Sequence, residues 1–468
     1  MRRLINLNGR ARAWHSQART NVFAPFILCV FALNLLFFRT ASAQDAVPTL
    51  TPLPTYTLTP APIPTQSLIT PTPAFNFGAP PEYIHPPAAL SARDGWSCGE
   101  FPCEDDIDGW LRRIQVPQGY LLEHVGRFPG APMQIVYGDD GRLYATVLEN
   151  GTRSGAVYAM NADGTSERIS ATLVSPLGLA FQPGTAILYV TARLTETSGG
   201  ALYRVMPDGQ TDLVIDSLPC CYMLIDNQPN GITFGADGYL YMGVGALTDH
   251  TEPPQGSNAR FVTLTPNEAA ILRIQPHTGE INVVASGIRN PYDVAFDAGG
   301  GLYATDSGLI TGEGDRVLRA LVGETYGFPY WRERGCEECE FTPGNITIAP
   351  DLWTFPPYTL PRGITVYLGA GYPTNLFGSV FVALWNGVES GQRVVRIDPR
   401  AIPPDASQPE AGMTPPPWAT VTPEPPPAPE PFVTGLIRPI DVTVSPDGWL
   451  IVADFVYGNV WRVVYQPD

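Results

Sequence analysis

Short runs of alternating apolar and polar residues, each interrupted by an Asp/Gly turn, recur along most of this chain. Alternation with a period of two, with turn signals between the runs, predicts antiparallel β-strands. A typical copy is PYDVAFDAGGGLYATD from Pro291, in which a strand, a glycine turn and a second strand of the form Leu-Tyr-x-x follow one another. The other copies begin at Met133, Leu177, Asn230, Arg362 (with an expanded turn) and Pro439.

Six copies of one unit predict a radial repeat. Further short strands such as RVVRIDP and GNVWRVVY lie between the copies, so each unit has enough strands for a four-stranded sheet. We therefore predict an all-β fold, a six-bladed β-propeller of four-stranded antiparallel blades, over about Gln115 to Tyr465. The 46 glycines and 50 prolines agree with a chain of many turns.

The propeller prediction gathers polar residues on one face. If the first strand of each blade lines the central channel, the Asp/Gly turns lie on one face and the residues before that strand lie on the opposite face. Arg289 and Asn290 precede the copy at Pro291, Arg438 precedes the last copy, and Arg393 opens the strand RVVRI. We expect these four side chains around one mouth.

Three arginines at one opening favour an anionic ligand. A guanidinium group binds planar oxyanions through paired, charge-assisted hydrogen bonds, so a ligand with several carboxylates suits Arg289, Arg393 and Arg438. The alternative is that each arginine ties down its own loop or pairs with a neighbouring aspartate. No lysine occurs, which excludes Schiff-base and phosphate-loop lysines, and the net charge of −17 makes nucleic acids poor partners.

The N-terminus has the features of an export signal. A basic segment ending near Arg19 precedes an apolar run, Val22 to Phe38, and Ala41 to Ala43 offers small residues to a signal peptidase. We predict that residues 1–43 are a cleaved signal peptide, with an uncleaved membrane anchor as the alternative. In both cases we expect a secreted, periplasmic or cell-surface protein, with the cell envelope as a potential partner.

Two Pro-rich segments lie beside and inside the predicted propeller. Residues 44–92, rich in Thr and Pro, cannot build a sheet or a helix and are predicted to form a disordered, extended stalk. The propeller domain is predicted over residues 93–468, with a Pro-rich loop insertion at 403–431. Because the strand pattern resumes after the insertion, we do not place a domain boundary there.

Six cysteines follow the apolar run, which agrees with disulfides in an oxidising compartment. They are Cys98, Cys103, Cys220, Cys221, Cys336 and Cys339. The first two and the last two are expected to form local pairs, while the adjacent middle two either bridge each other or pair elsewhere. A zinc site at CEEC is the weaker alternative, because the chain has no second pair with that spacing.

Longer motifs resemble one known family. The chain contains, in order, SGIRNPYDVAFDAGGGLYATDSG, DRVLRALVGETYGFPYW, GYPTNLFGSVFVALWNGVESGQRVVRI and GLIRPIDVTVSPDGWLIVADFVYGNVWRVVY. Together these stretches resemble the glucose/sorbosone dehydrogenase family, over about Pro132 to Tyr465 and most clearly from Asn230 onward. The resemblance implies a secreted six-bladed propeller that uses pyrroloquinoline quinone (PQQ) and calcium.

The resemblance also assigns roles at the mouth. It implies that the quinone is held by Arg289, Asn290, Arg393 and Arg438. Arg393 stands where many members have a lysine. Backbone carbonyls of Gly308 and Leu309 would hold the catalytic calcium ion. The substrate would be a sugar or another polyol, and an external acceptor would take up the electrons.

The family's general base is replaced in this chain. Members have an Asp-His pair where this chain has Asp226 and Asn227, and asparagine cannot take a proton from a sugar hydroxyl. Loss of a general base costs about 10²- to 10⁴-fold in rate. The candidates to replace it are Asp226 and His250, although a lone loop histidine is commonly an ordinary surface residue.

A second departure concerns a structural calcium site. Where the family often has Asp-Glu, near a calcium site with Tyr326, this chain has Asp315-Arg316. A cation there replaces an anion, so the resemblance does not carry this secondary ion over.

Two functions from different classes follow. The first is an exported PQQ-dependent dehydrogenase-like protein that oxidises a sugar or polyol. The alternative is a non-catalytic propeller module that binds a carbohydrate or a quinone and is displayed on the Pro-rich stalk. A lactonase-type hydrolase with a carboxylate-bound calcium in the channel is disfavoured, because the sequence shows no evident acidic cluster.

Overall fold

The structure is a computed structural model that describes residues 101–149, 151–221, 228–247, 264–308, 314–329, 348–402 and 427–467. The predicted signal segment, the stalk and most of the Pro-rich insertion lie outside these residues. Among the helices of the described part, none is long and apolar enough to cross a membrane.

Short antiparallel strands make up nearly all of the regular structure. The helix α1 (Ile107–Arg113) and the strand β1 (Tyr120–Arg127) come first. They are followed by β2 (Gly130–Tyr137), β3 (Leu143–Glu149), β4 (Ser154–Met160), β5 (Ser166–Arg168), β6 (Leu173–Val174), β7 (Leu179–Phe181), β8 (Leu188–Arg193), β9 (Gly200–Val205) and β10 (Thr211–Leu218). The middle of the chain forms β11 (Pro229–Phe234), β12 (Leu240–Val244), β13 (Ala270–Gln275), β14 (Glu280–Ser286), β15 (Pro291–Phe296), β16 (Leu302–Asp306), β17 (Asp315–Ala320) and β18 (Trp353–Phe355). The last strands are β19 (Pro361–Val366), β20 (Val380–Leu384), β21 (Arg393–Ile397), β22 (Glu430–Thr434), β23 (Pro439–Val444), β24 (Leu450–Asp454) and β25 (Asn459–Tyr465).

The strands group into six antiparallel blades. Strands β2 to β5 and β7 to β10 form the first two blades, which β6 joins into one sheet by pairing with both β4 and β8. The next three blades are β11 to β14, β15 to β18 and β19 to β22, each in simple sequential order. The last blade has the order β1-β25-β24-β23, so a strand from the start of the described chain completes it.

The first strands of the blades surround one axis. The inner strands β2, β7, β11, β15, β19 and β23 contact one another in this order, and β23 contacts β2. Such a cycle is the arrangement of a propeller. The predicted fold, an all-β propeller of four-stranded antiparallel blades, is confirmed.

A proline and a bulge mark the start of the inner strands. The prolines are Pro132, Pro176, Pro229, Pro291, Pro361 and Pro439. Proline suits the first position of a strand because it has no N–H group to leave without a partner. In five of the six strands the pairing register shifts directly after this proline, as it does between Pro291 and Val294. We call the face on which the inner strands begin the mouth.

Threonines of the second strands link neighbouring blades through hydrogen bonds. In three blades a buried threonine accepts the N–H of the bulge in its own blade and donates to a carbonyl of the next inner strand. The donor and acceptor pairs are Thr146 with Leu177, Thr191 with Asn230 and Thr305 with Arg362, at 2.5, 2.8 and 2.7 Å. The starts of these inner strands therefore lie side by side at the mouth.

The Leu-Tyr part of the repeat packs one blade on the next. The tyrosine of the second strand meets an aromatic residue of the following inner strand edge to face in three blades. The ring pairs are Tyr144 with Phe181, Tyr189 with Phe234 and Tyr241 with Phe296, at 4.9, 5.7 and 4.8 Å between centroids. Edge-to-face pairs of this kind add to the free energy gained by burial of the rings.

The structure bears on two local predictions, the cysteine pairs and the bounds of the Pro-rich insertion. Cys220 and Cys221 lie together across a cis peptide bond in the arrangement of a vicinal bridge, and Cys103 is also paired. Cys98, Cys336 and Cys339 lie outside the described residues, so their pairing stays a prediction. Strand β22 begins at Glu430, inside the segment 403–431 that was predicted as an insertion.

Candidate functional site

Arg289 and Asn290 lie at the mouth, directly before β15. The Arg289 side chain is 6% exposed, and its Nη1 donates to the carbonyls of Ser307 and Gly308 at 3.0 and 3.1 Å. The backbone N–H of Asn290 donates to Asp306 Oδ1 at 2.8 Å. As expected, Arg289 and Asn290 therefore lie close to the residues at the end of β16, the second strand of the blade.

Arg438 occupies the equivalent place before β23. Its guanidinium carbon lies 4.7 Å from the ring centroid of Trp385, and its Nη1 donates to the Trp385 carbonyl at 3.2 Å. Burial lowers the pKa of Arg438 to about 10, and the nearby carboxylate of Asp454 opposes this shift. A buried guanidinium group attracts an anionic ligand more strongly than one in water does, because the local dielectric constant is lower.

A third arginine, Arg362, lies between these two and was not predicted as a site residue. It is the second residue of β19, and its guanidinium carbon lies 4.5 Å from the ring centroid of Tyr292 and 5.7 Å from that of Trp385. Arg362 and Arg438 therefore share one indole ring. The aromatic faces restrict the orientation of both guanidinium planes.

Several polar atoms around these arginines have spare hydrogen-bonding capacity. Asn230 Nδ2 donates to Asn290 Oδ1 and to the Pro291 carbonyl, both at 2.8 Å. Three buried atoms, however, have no hydrogen-bond partner among the described residues: Asn230 Oδ1, Ser307 Oγ and Trp385 Nε1. Buried polar atoms normally have a partner, so these atoms are suited to a ligand.

Arg393 lies at the mouth end of its blade, because it pairs with Leu384, which in turn pairs with Pro361. It opens β21, the third strand of its blade, and donates to the carbonyls of Gly391 at 3.1 Å and Glu389 at 2.7 Å. Burial lowers its pKa. These contacts tie down the loop before β21, which is the alternative that the sequence left open for each arginine.

The predicted calcium position is partly described. The Gly308 carbonyl accepts the hydrogen bond from Arg289, so an ion on this oxygen would lie beside a guanidinium cation. Leu309 lies outside the described residues. Within those residues no group of three or more His, Cys, Asp and Glu side chains could hold a metal ion. The described donors alone do not fit calcium, and the ion stays a prediction of the resemblance.

Arg316 takes the place of a cation in its blade. Its Nη2 lies 2.5 Å from Asp306 Oδ2, and its Nη1 donates to the Tyr326 carbonyl at 2.8 Å and to Asp351 at 3.2 Å. Two carboxylates and a carbonyl oxygen are ligands that a calcium ion also uses. The absence of the secondary ion stays a prediction of the sequence.

Asp226 and His250, the candidate bases, and Asn227, which replaces the family's histidine, lie outside the described residues, and their roles stay predictions. Gln228, the residue after Asn227, is described: its Oε1 accepts from Arg193 Nε, and its Nε2 donates to the Ser175 carbonyl at 3.0 Å. This network extends the polar lining of the mouth to the second and third blades.

The sequence did contain a signal for the polar residues that were missed. Gln228, Asn230, Tyr292 and Arg362 each stand directly before or after the proline that marks the start of an inner strand. Aligning the six copies on this proline, rather than on the Asp/Gly turn, would have placed them at the mouth.

Comparisons with known proteins agree with the fold. A family model described as Glucose / Sorbosone dehydrogenase matches residues 226–400. No curated protein sequence matches the chain. The PQQ-bound form of aldose sugar dehydrogenase from Streptomyces coelicolor has a TM-score of 0.51 and 19% identity, over 75% of this chain and 99% of that one.

Two further solved structures are similar. The holo form of the PQQ domain of pyranose dehydrogenase from Coprinopsis cinerea has a TM-score of 0.53 and 14% identity, over 75% of this chain and 97% of that one. The apo form of the soluble aldose sugar dehydrogenase from Escherichia coli has a TM-score of 0.52 and 15% identity, over 74% and 100%. At these identities the likeness establishes the propeller fold. Residues 226–400, which include Arg289 and Arg362, match the glucose/sorbosone dehydrogenase family, and the resemblance read from the motifs is confirmed.

Proposed function

We propose that this chain is an exported PQQ-dependent dehydrogenase-like protein that oxidises a sugar or another polyol and passes the electrons to an external acceptor. The observation that carries the proposal is the set of three buried arginines at one mouth, Arg289, Arg362 and Arg438, of which the last two lie against aromatic rings. The match of residues 226–400 to the family supports the same reading.

The described residues fit a planar, anionic quinone. The carboxylates of PQQ would pair with Arg289, Arg362 and Arg438, because guanidinium groups bind carboxylates through charge-assisted hydrogen bonds. The buried Trp385 Nε1 and Ser307 Oγ are further donors that could serve its oxygens. When bound, the quinone supplies an acceptor for two electrons from the substrate carbon.

The chain itself must hold the ligand, exclude water and accept a proton. The stacked arginines orient the ligand, and the buried inner strands below them keep water out of the channel. Asn227 cannot accept the hydroxyl proton, so Asp226 or His250 takes this role in the proposal. No step is assigned to calcium, whose proposed oxygens are those of Gly308 and Leu309.

The replacement of the base histidine by Asn227 favours a second function. A propeller that binds a quinone or a carbohydrate without turnover needs the arginines but needs no base. In this proposal the module is displayed outside the cytoplasm on the stalk formed by residues 44–92. N-terminal sequencing of the exported protein, with an expected start at Gln44, checks the export step that both functions share.

Reconstitution distinguishes the two functions. The purified protein is mixed with PQQ and calcium, and dye reduction is followed with a panel of aldoses. The dehydrogenase predicts turnover that falls about 10- to 100-fold in Arg289→Ala, since a hydrogen bond to a charged group contributes about 1.5 to 3 kcal/mol. The exposed Arg112→Ala is the matched control and should keep the wild-type rate. Quinone binding without turnover would support the module, and absence of binding would contradict both.

A further inference from the structure

A polar layer crosses the axis of the propeller directly below the mouth. It is formed by the residues two positions after the six inner-strand prolines, which are Gln134, Gly178, Gly231, Asp293, Gly363 and Asp441. The glycines make room for the larger side chains: a Cβ atom on Gly231 would lie 2.3 Å from Asp293 Oδ1, and one on Gly363 would lie 1.9 Å from Asp441 Oδ1. The carboxyl groups of Asp293 and Asp441 therefore fill the space left by Gly231 and Gly363.

The three polar side chains of this layer accept a backbone N–H from five of the six inner strands. The donors are the N–H groups of Ile135, Leu179, Ile232, Val294 and Ile364. Gln134 accepts two of them at 2.6 and 3.2 Å, and Asp293 accepts two at 2.8 and 2.9 Å. Asp441 accepts the N–H of Ile135 at 2.7 Å. The axial layer therefore satisfies five backbone N–H groups of the inner strands.

The three side chains also contact one another. Gln134 Nε2 donates to Asp293 Oδ1 at 2.8 Å. Asp293 Oδ2 accepts the N–H of Ile364, and Asp441 Oδ1 lies against the preceding residue, Gly363, so the two carboxyl groups are neighbours. Both aspartates are 2% exposed. Two ionised carboxylates in contact at a buried site repel each other strongly, whereas a pair that shares a proton forms a hydrogen bond.

The two carboxyl groups differ in the number of N–H groups that they accept. Asp293 accepts three N–H groups through its two oxygens, which favours its ionised form. Asp441 Oδ1 receives no hydrogen bond from an N–H or hydroxyl group of the described residues. A protonated Oδ1 would be a donor, and its acceptor would be the carboxylate of Asp293.

We propose that Asp293 and Asp441 form a proton-binding site on the propeller axis, in which a proton on Asp441 Oδ1 is donated to Asp293 and joins the inner strands of all six blades. The site lies one residue below Tyr292 and Arg362 of the mouth and forms its floor. Release of this proton would loosen the floor without any change in the blades themselves.

The pKa shifts agree with this arrangement and give its sign. Burial raises the pKa of both aspartates, and the charge of Asp293 raises that of Asp441 further, well above its usual range. The folded protein therefore keeps a proton that an unfolded chain releases above a pH of about 3.9. By linkage, the stabilisation is fully present at acid pH and is lost as the pH rises through the raised pKa of the pair.

Other titratable groups on the strands that pack against β15 and β23 are few. They are Tyr137, Tyr241, Tyr292, Tyr303, Asp306, Arg362 and Asp454. The three charged groups are engaged elsewhere: Asp306 pairs with Arg316, Arg362 lies against aromatic rings, and Asp454 accepts the N–H groups of the segment before β23. Burial and the mutual charge of the pair therefore dominate its titration.

Two isosteric variants test the assigned proton position. In Asp441→Asn the amide oxygen replaces Oδ2 and the NH₂ group replaces the protonated Oδ1, so every hydrogen bond is kept. In Asp293→Asn an NH₂ group must face a backbone or side-chain N–H, because both oxygens of Asp293 act as acceptors. At pH 6 we expect the folding equilibrium constant of Asp441→Asn to stay within about threefold of wild type. That of Asp293→Asn should fall about 10- to 100-fold.

The pH dependence of urea unfolding provides the second readout. Between pH 5 and 8, the folding equilibrium constant of the wild-type full chain should fall about tenfold per pH unit relative to Asp441→Asn, which corresponds to one proton. The exposed Asp216→Asn is the matched control and should keep the wild-type pH dependence. The proposal is overturned if Asp441→Asn keeps that dependence, or if Asp293→Asn is tolerated as well as Asp441→Asn.

Infrared difference spectroscopy tests the same proton without a mutation that affects folding. The wild-type protein at pH 7 should show the carbonyl stretch of a buried, protonated carboxyl group, and this band should disappear when the pH is raised until the pair ionises. A spectrum at pH 7 with no such band overturns the proposal, even if the variants fail to fold.

Discussion

Replacing Arg316 by methionine should lower the free energy of unfolding by about 3 to 5 kcal/mol, because removal of one partner leaves a buried charge uncompensated. Asp306 is the charge left behind: its side chain is fully buried, and Arg316 contacts it through both Nε and Nη2, at 3.1 and 2.5 Å. Asp351, on the other side of the guanidinium, would lose the same partner.

The matched control is an exposed pair of the same chemistry. Arg400 and Asp398 are joined at 2.8 Å, but the Arg400 side chain is 55% exposed. Arg400→Met should therefore change the free energy of unfolding by less than about 1 kcal/mol. Urea unfolding of both variants measures the contrast, and equal losses in the two would contradict the role given to burial.

A compensating change separates the charge from the packing. Asp306→Asn keeps an acceptor for the Asn290 N–H group but removes the charge. The double variant Arg316→Met with Asp306→Asn should recover part of the stability lost in Arg316→Met, since replacing both members of a buried pair is tolerated better than removing one. A double variant no more stable than Arg316→Met would mean that the lost packing, and not the charge, sets the cost.

Calcium binding tests independently whether the guanidinium group of Arg316 occupies a place that could hold a metal ion. In Arg316→Ala, Asp306, Asp351 and the Tyr326 carbonyl would surround an open space suited to an oxygen-seeking ion. Added calcium should raise the melting temperature of this variant more than that of the wild type, because a ligand that binds only the folded state stabilises it. Equal shifts in both proteins would contradict this reading.

Replacing Arg362 by alanine should weaken the binding of PQQ about 10- to 100-fold, although the sequence resemblance assigned this residue no role. The reason is its place between Tyr292 and Trp385, where it shares the indole ring with Arg438. Fluorescence titration with PQQ measures the effect, and Arg112→Ala should bind as the wild type does. An unchanged dissociation constant in Arg362→Ala would remove this residue from the site.

Most of the fold could be predicted from the sequence because its signals are local. Alternating strands and Asp/Gly turns recur in each blade, and glycines such as Gly141 and Gly238 adopt the positive φ angles, 77° in both, that these turns require. The helix α1 and the bridging strand β6 were not predicted. Both are short, and β6 depends on pairing with two different blades.

The site could be predicted only in part, because the sequence does not show which residues of different blades lie close together at the mouth. Arg289, Asn290 and Arg438 could be placed at the mouth from the sequence, since each stands next to a recognisable repeat. Arg362 was missed because its copy has an expanded turn and its role comes from rings on two blades.

The axial layer was missed for a related reason. Asp293 and Asp441 interrupt apolar inner strands, which is an unusual place for a carboxyl group, but their contact with each other and with Gln134 joins positions far apart in sequence. They are the acidic residues in the channel that the sequence did not reveal. Each accepts backbone N–H groups within the buried floor, so they hold the blades rather than a hydrolytic metal ion.

The central claim is that buried arginines at one mouth recognise the carboxylates of a quinone. The most direct test compares the dissociation constants of the wild-type protein for PQQ and for its trimethyl ester, which keeps the ring system and loses the negative charges. The account predicts that the free acid binds and that the ester binds at least about 100-fold more weakly, as expected when charge-assisted hydrogen bonds are lost. Equal affinity for the two compounds, or no binding of the free acid, would contradict it.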